Sequence, residues 1–124
     1  DLHSKYSADH DVTPNDIALV ATKRFAVIPP LPEDRFLCSF SHIFAGGYAA
    51  GYYSYMWSDI LAADFFSAFE EAGLENPGAI AYLGRRYTDT VLALGGSQKP
   101  LEVFKAFRGR EPDPAALLKS KGLA

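Results

Sequence analysis

His42, Tyr48, Tyr52 and Tyr55 all fall in the stretch SHIFAGGYAAGYYSYMW, residues 41–57. A histidine near neutral pH can donate, accept or move a proton. A tyrosine hydroxyl is a neutral donor at pH 7. On a helix, Tyr48, Tyr52 and Tyr55 stand at i, i+4 and i+7, which is one face. A row of neutral donors suits a developing oxyanion or a peptide backbone. The same row suits core packing, provided each buried hydroxyl finds a partner. His42 sits among Phe40, Ile43 and Phe44, a setting that also fits a satisfied core histidine. Residue types and spacing leave both readings open. Tyr53 and Trp57 lie on another face and read as packing. Gly46-Gly47 lacks the GxGxxG pattern of a dinucleotide site and reads as a hinge at a helix entry.

Little else in the chain points to chemistry. The histidines are His3, His10 and His42, and none has a histidine partner at helical spacing. HExxH, CxxC and calcium-loop patterns are missing, so this chain by itself is expected to bind no metal. His3 and His10 lie in a polar stretch and read as solvated loop residues. Glu70 and Glu71 are adjacent and point apart on a helix. Asp64 stands among Ala62, Ala63, Phe65 and Phe66; if buried it needs a partner, and the sequence names none. Arg85-Arg86 and the charges from Lys99 to Arg110 read as solvated helix faces.

The elements that must position these residues read as all-α, about five helices with one short extended segment. Residues 1–12 are polar and read as loop or frayed helix. Thr13-Pro14 opens a helix as N-cap and first-turn proline. Ile28-Pro29-Pro30-Leu31-Pro32 ends it in an extended crossing. Arg35 to Phe44 alternates with period two, which predicts the extended segment. Tyr48 to about Ala72 is the longest helix, closed by Gly73. Asn76-Pro77 opens the next, to about Leu94. Ser97 caps a helix through Arg108, closed by Gly109, and Asp113-Pro114 opens a short last one ending near Gly122. The long helix is apolar nearly all round, so it needs covering by other protein.

The 124 residues suffice for one domain. Apolar residues are 48% and charged residues 22%, which is globular rather than disordered. The net charge of −3, without a basic run, argues against a dedicated nucleic-acid partner. No apolar stretch is long enough to span a membrane. A single cysteine, Cys38, cannot form an internal disulfide, which favours a reducing intracellular setting, cytoplasmic or inside an organelle, over secretion. The start at Asp1-Leu2-His3, without Met, suggests a processed product or a piece of something longer.

Residues 33–66, EDRFLCSFSHIFAGGYAAGYYSYMWSDILAADFF, resemble the C-terminal region of the zinc oligopeptidase family that includes thimet oligopeptidase, oligopeptidase A and peptidyl-dipeptidase Dcp. The form looks closest to the oligopeptidase A and Dcp branch. Gly95-Gly96-Ser97 and the terminal FKAFRGREPDPAALLKSKGL fit as well, so the resemblance extends over nearly the whole chain as one segment, 1–124. It implies a mainly helical peptidase acting on short peptides with zinc. It implies that His42 contacts substrate near the scissile bond and that Tyr55 donates to the oxyanion. It implies that Tyr48, on a mobile loop with Gly46 and Gly47, closes on substrate, and that Tyr52 has a weaker role in the channel.

In the family, HExxH and a further glutamate helix stand upstream of this region. The chain would then hold half an active site and be inactive alone, with zinc bound only in the parent enzyme. Its partners would be a short peptide substrate and the upstream half of the peptidase. A rival reading is a non-catalytic interaction or scaffold subunit in a larger assembly, whose other subunits cover the apolar helix; His42 and the tyrosines would then be packing residues.

Overall fold

The computed structural model describes residues 1–4, 9 and 11–124; His10 and the loop reading of residues 5–8 lie outside the described residues. Among the described residues there are six α-helices and no strand: α1 Pro14–Phe25, α2 Phe36–Ser39, α3 Ser54–Ala72, α4 Pro77–Tyr87, α5 Pro100–Arg108 and α6 Ala115–Ser120. A 3₁₀ turn covers Ser41–Ile43 and a π turn covers Thr88–Leu92. No helix among the described residues is long and apolar enough to cross a membrane. The chain divides into two compact units, Asp1–Tyr53 and Ser54–Ala124.

In the first unit, α1 starts where its sequence signals it. The Thr13 hydroxyl accepts from Asp16 N, and the Asp16 carboxylate accepts from Thr13 N at 2.8 Å, so two orphan donors are satisfied reciprocally. The segment Arg35–Phe44 is not extended. An isolated strand leaves its backbone groups without partners, whereas local turns satisfy them. Cys38 N donates to Arg35 O at 2.8 Å, and the Ser41 carbonyl accepts from Phe44, Ala45 and Gly46 N. Phe36 and Phe40, read as one side of a strand, are also i, i+4 on a helix, and their rings stack at 4.7 Å.

The second unit holds most of the core. Its long helix begins at Ser54 rather than Tyr48. Residues 48–53 form turns instead, with Gly51 N donating to Tyr48 O at 2.9 Å. Gly46, Gly47 and Gly51 disfavour helix there, and Ala50 takes a left-handed φ of 51°. Tyr48 and Tyr52 therefore do not share a helical face with Tyr55. Phe104 and Phe107 on α5 are 0% and 2% exposed. Phe65 on α3 meets them at 4.8 and 5.5 Å, and Tyr87 from α4 closes the cluster at 5.3 Å from Phe65. The rest of α3 is left uncovered within this chain, in keeping with the expectation that it needs other protein to cover it: Met56, Trp57 and Phe66 are exposed. The α5 helix starts at Pro100 behind Lys99, without a side-chain cap from Ser97. It ends as expected at Gly109, whose φ of 73° is the left-handed cap.

Asp64 has no solvent exposure, and its partners come from the segment read as a solvated face. Arg110 grips it with a fork: Nη1 donates to Oδ2 at 2.7 Å and Nη2 to Oδ1. Asp113 N donates to Oδ2 at 2.8 Å, and Arg108 Nε lies 3.3 Å from Oδ1. Arg108 turns its other nitrogens to Glu71, at 2.7 and 3.1 Å. Arg108 is thus nearly buried rather than solvated, with 7% of its side chain exposed. Burial raises the Asp64 pKa, but the Arg110 and Asp113 hydrogen bonds and the Arg110 and Arg108 charges outweigh it and hold the carboxyl below its ordinary range.

Two outcomes follow from this packing. Phe104→Ala should cost about 3–5 kcal/mol, because it removes a fully buried ring between α3 and α5; urea unfolding of the protein measures it. The Asp64 contribution to stability should be complete above the unfolded aspartate pKa of about 3.9. It should be lost as the pH falls through the lower folded value. Urea midpoints between neutral and strongly acid pH should drop in the acid range, and Asp64→Asn should flatten that part of the profile. An unchanged acid limb in the variant would exclude the carboxylate as its source.

Candidate functional site

The first unit brings three of the expected site residues together. The His42 ring centroid lies 5.9 Å from Tyr48 and 5.6 Å from Tyr52, and the two tyrosines are 6.3 Å apart. The mutual tilts are 46°, 72° and 82°, so His42 and Tyr48 each meet Tyr52 edge to face, an arrangement favoured by the ring quadrupoles, while His42 and Tyr48 are tilted against each other.

The local backbone sets this geometry. His42 lies in the 3₁₀ turn Ser41–Ile43. The chain then reverses, and Tyr48 N donates back to the His42 carbonyl at 3.0 Å. Gly46 sits inside the reversal. A Cβ there would stand 2.7 Å from His42 Cα and 3.1 Å from the His42 carbonyl oxygen, so only glycine allows so close an approach. Gly47 follows at φ 80°, in the left-handed region where glycine carries no Cβ penalty. The Gly-Gly pair therefore closes a tight loop against the His42 backbone. It is not the entry to a helix.

His42 is exposed within this chain. Tyr48 is half-buried and Tyr52 is 40% exposed. Among the described residues of this unit the buried side chain is the neighbouring Ile43, at 7% exposure. Tyr48 and Tyr52 also border an open cavity of about 750 Å³, with Ile17, Val20 and Phe25 of α1 on its apolar wall. Tyr55 belongs to the second unit, in the first turn of α3, and is 46% exposed. Tyr53 and Trp57, read as packing, are 72% and 58% exposed.

Phe40 was not among the expected site residues. Its ring makes an 85° edge contact with Tyr52 at 4.7 Å and a tilted contact with His42 at 5.8 Å. It forms the apolar floor between a donor and a titratable ring. The signal was present in the sequence as Phe40-x-His42, but an extended reading placed both rings without saying what they touch. His3 is exposed as expected, and its ring lies 6.0 Å from Phe44.

Neutral hydroxyl donors beside an imidazole can hold a polar backbone and orient it. They can also move a proton or stabilise developing negative charge. Among the described residues, no group of three or more His, Cys, Asp and Glu side chains could hold a metal ion. These residues do not fit a zinc site, so no step is assigned to a metal here.

Comparison with known proteins accounts for the whole stretch. The chain is 57% identical over 123 residues to the organellar oligopeptidase A, chloroplastic/mitochondrial, of Arabidopsis thaliana, covering 99% of this chain and 16% of that protein. It is also 57% identical over 123 residues to the probable cytosolic oligopeptidase A of Arabidopsis thaliana, covering 99% of this chain and 18% of that protein. With oligopeptidase A of Escherichia coli (strain K12) it shares 46% identity over 122 residues, 98% of this chain and 17% of that protein. The chain therefore spans less than a fifth of the length of these relatives. Residues 1–123 match peptidase family M3, and with nearly its full length matched the chain belongs to that family.

Proposed function

We propose that this chain is the C-terminal part of a zinc-dependent oligopeptidase that hydrolyses short peptides, and that its share of the work is to bind substrate and stabilise the oxyanion. The observation that carries this reading is the His42–Tyr48–Tyr52 ring cluster, held by a glycine loop whose Cβ-free approach to His42 leaves both phenols at its rim. Within this chain His42 and Tyr52 are exposed, as a substrate-binding role requires. The names of the relatives, oligopeptidase A in each case, support the same substrate class.

In this reading Tyr48 and Tyr52 hydrogen-bond the peptide backbone, and His42 contacts it beside the scissile bond. Gly46 and Gly47 let the loop approach the substrate main chain. Tyr55 donates its hydroxyl proton as a hydrogen bond to the oxygen that becomes negative, with no net proton transfer required. Zinc and the general base are assigned to the rest of the peptidase, outside residues 1–124, which also covers exposed apolar side chains such as Met56, Trp57 and Phe66. An intracellular setting, cytosolic or organellar, accords with the relatives' names.

The test is made on the full-length protein with zinc bound and a quenched peptide as substrate. Tyr55→Phe should lower kcat by about tenfold or more with little change in KM, as for loss of an oxyanion donor. Unchanged kinetics would remove Tyr55 from that role. Gly46→Ala should lower kcat/KM by at least about tenfold, because the added Cβ meets backbone that cannot rotate away. Gly84→Ala, where a Cβ meets nothing within 4 Å, is its control and should keep activity. Equal activity in the two glycine variants would separate the loop from substrate binding. A full-length protein that binds no zinc and cleaves no peptide would favour the scaffold reading instead.

A further inference from the structure

We infer that Asp64, with Arg110, is a positioning residue for Tyr55, acting as a latch that fixes the direction in which α3 presents that hydroxyl; this rests on the oxyanion role proposed above. Asp64 and Tyr55 share one continuous helix, Ser54–Ala72. At ~1.5 Å per residue, about 13 Å of helix separates them. The first turn is not held by burial within its own unit: Tyr55, Met56 and Trp57 are 46%, 61% and 58% exposed. The buried positions of α3 are Asp64 and Ala68. Within this unit the buried grip on α3 therefore lies further along the helix.

Two kinds of contact grip α3 there. On one side, Phe65 packs on Phe104 and Phe107 at 4.8 and 5.5 Å. Apolar contact is non-directional and tolerates small rolls of one cylinder on another. On the side of Asp64, about 100° round the helix, the contacts are directional. The Arg110 fork takes both carboxylate oxygens and Asp113 N adds a backbone donor at 2.8 Å, while Arg108 Nε, 3.3 Å away, adds charge without a hydrogen bond. A bidentate guanidinium–carboxylate pair fixes a plane as well as a distance. Those donors come from the Gly109 turn and the start of α6, so the latch ties α3 to a segment with no other part in the proposed chemistry.

Loss of the fork would leave α3 on its packing against α4, α5 and α6, without a bidentate tie. A tilt of about 10° at Asp64 would carry Tyr55 by roughly 2 Å, and a misplacement of ~1 Å can cost ~10²-fold in rate. Burying a carboxylate is a poor way to gain stability alone, since an apolar replacement of similar size often serves as well. Its directional bonds are what an apolar residue cannot supply.

The test is a double-mutant cycle in the full-length, zinc-loaded protein. Arg110→Lys keeps the charge and loses the fork, so it is preferred to Asp64→Asn should the latter fail to fold. The expected result is a folded Arg110→Lys protein whose kcat falls at least tenfold while KM stays within about twofold. In a Tyr55→Phe background the same change should cost less than threefold, because the group it positions is already gone. Equal losses with and without Tyr55 would overturn the latch and leave the oxyanion role intact. A fall in activity that only follows the folded fraction, in Arg110→Lys as in Asp64→Asn, would overturn it too. A Tyr55→Phe enzyme with unchanged kcat would remove the oxyanion role itself, and the latch with it.

Discussion

A carboxylate with no exposure to water organises the second half of this chain. Burying an isolated charge costs far more than a folded domain has to spare, so Asp64 is stable only while its donors surround it. Its partners arrive from one short stretch, Arg110 and Asp113 N as hydrogen-bond donors and Arg108 as a nearby charge. Arg108 ends α5, Gly109 turns the chain through φ 73°, and Arg110 follows. On a continuing helix, side chains two positions apart would diverge. The left-handed glycine brings both guanidinium groups to the same carboxylate instead. Asp113 N then reaches Asp64 just before α6 begins, and Asp113 Oδ1 accepts from Ala115 N at 2.8 Å. One aspartate thus ties the long helix to the end of α5 and the start of α6.

The candidate site in the first unit is held differently. Little there is buried, and Ile43 is its buried hydrophobic residue among those described. Shape comes from backbone turns that leave little room for substitution. The Ser41 carbonyl collects three amide donors, the His42 carbonyl takes a fourth from Tyr48, and Gly46 occupies the space that any side chain would need. Rings then settle around this frame by edge contacts. A site made of turns can present polar groups to a ligand without a core beneath each one, which is why binding groups so often lie on loops.

Several features were legible from residue order alone. The capping box at Thr13, the start at Pro77, and the glycine stops at Gly73 and Gly109 are local signals, each decided within a few residues. The all-α class follows from them. The extended reading of Arg35–Phe44 failed because alternation and helical spacing coincide for Phe36 and Phe40, and with no neighbouring strand the backbone bonds locally. The early start given to α3 failed for a related reason. Apolar periodicity ran through Tyr48 and Tyr52, but Gly47, Ala50 and Gly51 broke the backbone beneath it.

By itself the sequence determined the class of fold, most helix boundaries and the family, because caps, breakers and a long specific motif are written in adjacent residues. It also marked His42, Tyr48, Tyr52 and Tyr55 as groups fit for peptide binding and oxyanion chemistry. Only the tertiary structure decided which of them stand together, that Phe40 joins them, and that Gly46 must be glycine. It alone found partners for Asp64 in Arg108, Arg110 and the Asp113 amide, more than forty positions away along the chain. Contacts between residues so far apart leave no periodic trace in either segment; they exist only once the helices have packed and a buried charge has selected the donors within its reach.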